Sequence, residues 1–327
     1  MILAGDIGGT KTNLAYFKEE NGRVIPVQLK SYPSQQYRSV LEIIDAMQKE
    51  LPAPITAAAF GVAGPIVEGR SKLTNLDWEV IADKIRDGLK LPHVGLLNDL
   101  EATAYGVLNL PESDRLTLQP GEVRKHAAIA VIAAGTGLGE GALIWDGKRY
   151  RAMPSEGGHS DFASRNELEM ELLRFLLTKF KRVSYERILS GPGFASLYEF
   201  FRARSREPEP AWLSEAIKAD PSPAAAISRA GLERTDPVCV QVLDLFVSLY
   251  GAEAGNLALK VLATGGVYIG GGIAPKILSK IQEGGFLEAF TSKGRHSPLL
   301  KSMPLYVILN DKIALYGAAY YAAFVHD

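Results

Sequence analysis

Two distant stretches of this sequence carry one pattern. Ile2 to Gly5 is a short apolar run that breaks into Asp6-Ile-Gly-Gly-Thr-Lys-Thr12 and resumes over Leu14 to Phe17. Ile129 to Ala134 runs in the same way into Gly135-Thr-Gly137 and continues to Trp145. Apolar runs interrupted by residues that turn the chain read as strand, turn, strand. Turn-like segments follow both copies, Glu20-Asn-Gly-Arg23 after the first and Asp146-Gly-Lys-Arg149 after the second. A hairpin that occurs twice predicts two related lobes facing a shared cleft.

The remaining elements fit that frame. A third strand is expected over Val24 to Leu29, then a helix through Val40, Leu41, Ile44 and Met47, whose spacing keeps one face. Strands over Ile55 to Val62 and Val94 to Leu97 alternate with helices near Val80 to Leu89 and from Leu100 onward. Such alternation calls for a mixed or parallel sheet covered by helices. Asn166 to Leu262 is mostly helical, and its last helix, roughly Asp236 to Leu262, is long. Glu207 to Ala226, rich in Pro, Ala and Glu, reads as mobile surface helices. Gly265 to Pro275 is a strand ending in a glycine turn that opens a helix, and a strand over Leu305 to Leu309 and a helix over Lys312 to Phe324 follow.

Composition excludes several classes. Lys and Arg total 36 against 37 Asp and Glu, a formal charge of -1. A protein binding nucleic acid through phosphate neutralisation, or a membrane through a polybasic anchor, needs an excess of positive charge. The single cysteine, Cys239, forms no internal disulfide and rules out zinc sites built on two or more thiolates. The N-terminus lacks the basic segment of a signal peptide. The longest uncharged apolar stretch, Ala314 to Val325, falls short of the ~20 residues of a membrane helix. The expectation is a cytoplasmic protein of about two domains.

Three glycine turns, each ending a strand, suggest phosphate loops: Gly8-Gly9-Thr10, Gly135-Thr136-Gly137 and Gly270-Gly271-Gly272. Glycine permits close approach and positive φ, so backbone N–H groups can converge on an anion, and the threonine hydroxyls add donors. A tight hairpin uses glycine for steric reasons alone, so one such turn carries little weight. No Walker A sequence occurs, and Gly137-Leu-Gly-Glu-Gly-Ala142 fits a dinucleotide fingerprint in spelling but leads into a strand instead of a helix.

Asp6 ends the first strand beside a phosphate turn, where a carboxylate holds Mg²⁺ directly or through water, or else caps its own loop. Lys11 either reaches phosphate or stands in solvent. Asn98-Asp99 follows a strand and precedes a helix; one reading is an N-cap, the other a base at Asp99 with Asn98 orienting the substrate. Ser155-Glu-Gly-Gly-His-Ser-Asp161 sets Glu156 and His159 around two glycines, a polar concavity suited to neighbouring hydroxyls.

In order along the chain, Asp6-Ile-Gly-Gly-Thr10, Gly61-Val-Ala-Gly-Pro65, Leu97-Asn-Asp-Leu-Glu-Ala102, Ala134-Gly-Thr-Gly-Leu-Gly139, Glu156-Gly-Gly-His159, Glu186 with Gly191-Pro-Gly193, and Gly270-Gly-Gly-Ile-Ala-Pro275 form a set. The set resembles bacterial glucokinase, a family of the hexokinase and actin-like ATPase clan. The resemblance implies an α/β, two-lobed actin-like ATPase (ribonuclease H-like) fold with mixed sheets and flanking helices. It places a small lobe at residues 1–109 plus 304–327 and a large lobe with helical insertions at 110–303. The implied activity is ATP-dependent transfer of the γ-phosphoryl group to the 6-hydroxyl of glucose, a step of glycolysis, with Mg²⁺ at Asp6. Asp99 is the implied general base, and Asn98, Glu156, His159 and Glu186 the implied contacts of the other hydroxyls. Gly8, Gly9, Thr10, Lys11, Gly135, Thr136, Gly137, Gly271 and Gly272 are implied to hold the nucleotide phosphates. A homodimer is expected.

Related repressor and kinase families carry a cysteine-rich zinc motif where this chain has Ser160-Asp-Phe-Ala-Ser164, which favours the zinc-free glucokinases. A kinase for another hexose, a non-catalytic sugar sensor and an actin-like ATPase without a sugar substrate are the competing readings.

Overall fold

The computed structural model describes residues 1–73, 76, 78–219 and 222–325. β1 (Ile2–Ile7), β2 (Lys11–Glu20) and β3 (Arg23–Pro33) form an antiparallel meander. The third strand runs well beyond Leu29 because its exposed residues continue the ladder to Pro33. Helix α1 (Val40–Glu50) leads to β4 (Ala57–Val62), parallel to β1, and β5 (Arg70–Lys72) pairs with β6 (Glu79–Ile81) in a small hairpin. Helix α2 (Ala82–Leu89), β7 (Gly95–Asn98) and α3 (Asp99–Val107) complete this part, and the sheet order is β3-β2-β1-β4-β7.

Both faces of this sheet are covered, which explains its unbroken apolar runs. Side chains alternate across a strand. Leu3, Ile7 and Leu14 therefore pack with Ile43, Ile44 and Met47 of α1, while Ile2, Ala4, Ala15 and Phe17 face the other way.

The chain continues through β8 (Arg115–Gln119), β9 (Ile129–Ala134), β10 (Leu138–Trp145) and β11 (Tyr150–Met153). Five helices follow: α4 (Glu167–Leu177), α5 (Gly191–Arg204), α6 (Ala211–Ala219), α7 (Pro223–Leu232) and α8 (Pro237–Val261). Then come β12 (Gly266–Gly270), α9 (Leu278–Gln282), α10 (Gly285–Thr291), α11 (Ser297–Ser302) and β13 (Leu305–Ile308). The second sheet has the order β11-β10-β9-β12-β13-β8, so the first five positions repeat the connectivity of the first sheet. The repeat visible in the two hairpins is thus a repeat of topology.

Helix α8 is the axis of the second hydrophobic core. Asp236 caps it by accepting the Cys239 N–H at 2.8 Å, Pro237 occupies its first turn, and Leu262 ends it in the left-handed region at φ 52°. Its 25 residues are long and apolar enough to cross a membrane by length and composition, longer than the stretch near the C-terminus that stood out in the sequence. Apolar residues all round also mark a helix enclosed by protein, and 78% of its most apolar window is buried. Helices α6 and α7 are anchored rather than superficial, since Leu213 and Ile227 are fully buried; Asp220 and Pro221, in the same segment, lie outside the described residues.

The last helix, α12 (Ile313–Tyr320), continues as a turn of π-helix over Tyr321–Val325. Leu315, Ala318, Ala319 and Ala322 cover the face of the first sheet that α1 does not. Glycine lets α12 lie close to α3: a Cβ on Gly317 would fall 1.6 Å from the Ala102 carbonyl oxygen. By compactness the chain divides into one unit of residues 1–115, 143–154 and 310–327 and another of 116–142 and 155–309.

Candidate active site

In the first unit, polar residues collect at the carboxyl ends of β1, β4 and β7. These strands are parallel neighbours, with Ile7 opposite Val62 and Val62 opposite Asn98. Asp6 therefore precedes that line by one residue, and Asp99 follows it by one. Asn98 is the cap of α3, its Oδ1 accepting the Glu101 N–H at 2.6 Å. Asp99 is the first helical residue, exposed, and its Oδ1 accepts the Leu100 N–H at 2.9 Å. Of the two adjacent residues that could cap this helix, the capping role belongs to Asn98.

Asp6 is held from behind. Asn13, opposite it on β2, donates from Nδ2 to Asp6 Oδ2 at 3.3 Å, and Ser31 on β3 donates to Asn13 Oδ1 at 2.7 Å. Burial raises the Asp6 carboxyl above its ordinary range; Asn13 pulls it back, the Asp99 charge pushes it up, and Lys312 and Lys11 lower it. The turn after Asp6 closes through the Gly8 N–H on the Lys11 carbonyl at 3.1 Å. Ser34 pins the turn, donating to the Gly8 carbonyl at 2.7 Å, with the Thr12 hydroxyl 2.9 Å away. Since the Gly8 N–H closes the loop, the donors left at its tip are the amides of Gly9 and Thr10.

Asp6 and Asp99 present hard oxygen atoms on one edge. That donor set fits Mg²⁺ bound through one or two carboxylates, water and a substrate phosphate. Among the described residues no three His, Cys, Asp or Glu side chains group into an all-protein metal cage.

The second unit carries the other two turns and the Glu-His cluster. The Gly135 N–H closes its turn on the Gly137 carbonyl at 2.8 Å, leaving the Thr136 and Gly137 amides at the tip. Gly271 is the one glycine of the three turns with positive φ, 83°, and a Cβ there would lie 2.2 Å from the Ala134 carbonyl. The positive φ expected of these turns is thus confined to the third. Neither crowding nor backbone conformation demands glycine at 135 or 272, where an added Cβ meets nothing within 4 Å. Tyr250, wholly buried on α8, ties the two turns together: its hydroxyl accepts the Ala134 N–H at 3.1 Å and lies 3.2 Å from the carbonyls of Ile132 and Gly270.

Glu186 Oε2 accepts the Leu138 N–H at 3.1 Å, immediately after the Gly135 turn. His159 lies with Nδ1 3.6 Å from Glu186 Oε1 and Nε2 3.8 Å from Glu156 Oε2. These separations are too long for direct hydrogen bonds, so the facing atoms are not spent on one another. Gly157 and Gly158 fit under this row because a Cβ on Gly158 would fall 2.0 Å from the Leu138 carbonyl. Glu156, His159 and Glu186 are brought together in the second unit, and Asp6, Asn98 and Asp99 in the first. Tyr250, Ser34 and Asn13 were missed by sequence reasoning. A buried asparagine beside the apolar run Leu14–Phe17 was the one available signal.

A family model described as glucokinase matches residues 3–324. The chain belongs to the glucokinase family. A glucokinase of Nostoc punctiforme is 45% identical over 337 residues, covering 99% of both sequences. Among solved structures, a glucokinase from an Antarctic psychrotroph superposes with a TM-score of 0.88 at 30% identity, covering 98% of each chain. The ROK family glucokinase of Streptomyces griseus, solved with glucose and AMPPNP, shares the fold at a TM-score of 0.62 and 21% identity, covering 98% of both. The fold is that of the actin-like ATPases, as the glucokinase resemblance implied.

Proposed function

We propose that the two residue sets divide one phosphoryl transfer, from ATP to the 6-hydroxyl of glucose. As a glucokinase-family member the chain is a sugar kinase that phosphorylates glucose. Asp99 accepts the hydroxyl proton as the sugar oxygen bonds to the γ-phosphorus and the bond to the β-phosphate oxygen breaks, releasing ADP and glucose 6-phosphate. Such a transfer asks mainly for positioning and charge stabilisation. Asn98, with its Oδ1 engaged in the cap, offers Nδ2 to a neighbouring hydroxyl; Glu156, His159 and Glu186 hold the rest. The amides of Gly9, Thr10, Thr136 and Gly137 hold phosphate, with Lys11 beside them and Gly271-Gly272 as the wall of the third turn. Asp6 would hold Mg²⁺, directly or through water, and the ion would supply positive charge to neutralise phosphate. The AMPPNP and glucose of the Streptomyces griseus protein support ATP and glucose as substrates. The family resemblance extends this reading to a cytoplasmic homodimer acting in glycolysis, for which sedimentation velocity tests the dimer.

The observation that carries the assignment is Asp99 itself, exposed at the first turn of α3 while Asn98 performs the capping. A coupled assay with glucose, ATP and Mg²⁺ should show turnover that falls at least ~10²-fold in Asp99→Asn with glucose binding retained. Near-normal turnover in that variant removes Asp99 as the base.

A further inference from the structure

Glu140 is the charged residue of the second hairpin, and its place is unusual. It lies on β10 with 1% of its surface exposed, and its Oε1 meets no donor. Its Oε2 presses against the turn that carries Glu156 and His159, 2.3 Å from where a Cβ on Gly157 would stand. The wholly buried carboxyl of Glu253 on α8 stands close enough for its charge to act on Glu140. Two carboxylates side by side lack a donor between them, and a buried unpaired charge is strongly unfavourable. A proton on Glu140 supplies that donor.

We infer that Glu140 is a positioning residue for the Glu156-Gly-Gly-His159 turn, and that it holds the turn only while its carboxyl carries a proton directed to Glu253. The inference rests on the reading of Glu156 and His159 as sugar contacts.

The surroundings decide which carboxyl keeps the proton. Glu253 accepts the Asn256 Nδ2–H at 2.8 Å and has Lys260 Nζ at 3.3 Å, so it is the better-supported anion. Lys260 is half-exposed and shares its charge with water. Lys293 Nζ donates to the Ala252 carbonyl at 2.8 Å and Asn256 Oδ1 at 2.6 Å, and the Tyr185 hydroxyl accepts from Asn256 at 3.3 Å. The Tyr250 hydroxyl feels the Glu140 charge, and Glu156 and His159 stand on the turn itself. Burial, then the Glu253 charge, lifts the Glu140 carboxyl to about 7, against the pull of Lys260. Loss of the proton leaves two buried anions under a turn whose glycines offer no slack.

The test follows glucose KM and kcat separately in wild type, Glu140→Gln and Glu140→Ala from about pH 6 to about pH 8. As the raised Glu140 carboxyl loses its proton across this range, wild-type KM rises severalfold while kcat moves little. Gln keeps a donor that cannot be lost, so KM in Glu140→Gln stays near the wild-type low-pH value throughout. Glu140→Ala raises KM at every pH. A Glu140→Gln profile that follows wild type, or an unchanged KM in Glu140→Ala, overturns the inference. If Glu140→Ala does not fold, the glutamine variant still decides. Infrared difference spectra of sugar-free protein give an independent readout: a protonated-carboxyl band at low pH that Glu140→Gln lacks. Absence of that band in wild type also overturns the inference. Wild-type protein that shows the band yet neither binds nor phosphorylates glucose instead defeats the proposed function.

Discussion

Tyr250→Phe removes one oxygen and should loosen the two phosphate turns of the second unit together. The ring itself stays packed, edge-on to Phe246 and Phe286 with centroids 5.9 and 5.5 Å apart. What is lost is the acceptor for the buried Ala134 N–H and a proton shared between the Ile132 and Gly270 carbonyls. An orphaned buried donor costs about 1–3 kcal/mol and a lost neutral hydrogen bond about 1 more. We therefore expect a destabilisation of about 3 kcal/mol, roughly a hundredfold in the folding equilibrium. Urea unfolding reads this as a lower midpoint at unchanged slope, since the exposed area hardly changes. Because β9 and β12 end in the turns that Tyr250 joins, nucleotide KM should rise in parallel. A loss below about 0.5 kcal/mol would mean that the hydroxyl does not bridge these strands, and the argument for a shared anchor would fail.

Gly158→Ala forces a Cβ to within 2.0 Å of the Leu138 carbonyl; it should cost about 1–3 kcal/mol by overpacking and raise glucose KM, measured by calorimetric melting and kinetics. Asp6→Asn should weaken Mg²⁺ dependence in a metal titration yet stabilise the protein at neutral pH. Burial raises the Asp6 carboxyl from its ordinary 3.8, so the native state holds the proton longer than the unfolded chain, and wild-type stability falls as pH rises above that value. Melting curves at several pH values should show a shallower slope in Asp6→Asn, and parallel slopes would refute this. Asp236→Ala strips the cap of α8 and the ion pair with Arg202; a loss of about 3–5 kcal/mol is expected from denaturation, with a result under about 1 counting against it.

The hairpins at Ile2–Phe17 and Ile129–Trp145 were legible because buried strands are written as apolar runs and glycine turns as their interruptions. The start expected for α8 near Asp236 matches the structure, where Asp236 is its cap. Edge strands were silent: Arg115–Gln119 and Tyr150–Met153 are short and contain no fully buried residue, so no burial pattern marks them. At Asn98-Asp99 two residues of similar chemistry competed for one cap, and only helix register separates them. The long-range partners, Ser34 on Gly8 and Tyr250 on Ala134, depend on which segments meet after folding, and no spacing within the chain records that. Nothing in the local spacing around Glu140 records its proximity to Glu253 of α8, more than a hundred residues away.

The placement of α12 has a consequence for biosynthesis. The first sheet and α3 leave the ribosome early, but the helix that seals their open face is separated from α3 by about 200 residues. At ~5–20 residues per second, that face waits ~10–40 s for its cover. Throughout this interval the nascent chain displays Ile2, Ala4, Ala15 and Phe17, a surface that general chaperones of the hydrophobic-binding kind would recognise, and the intervening unit can mature first.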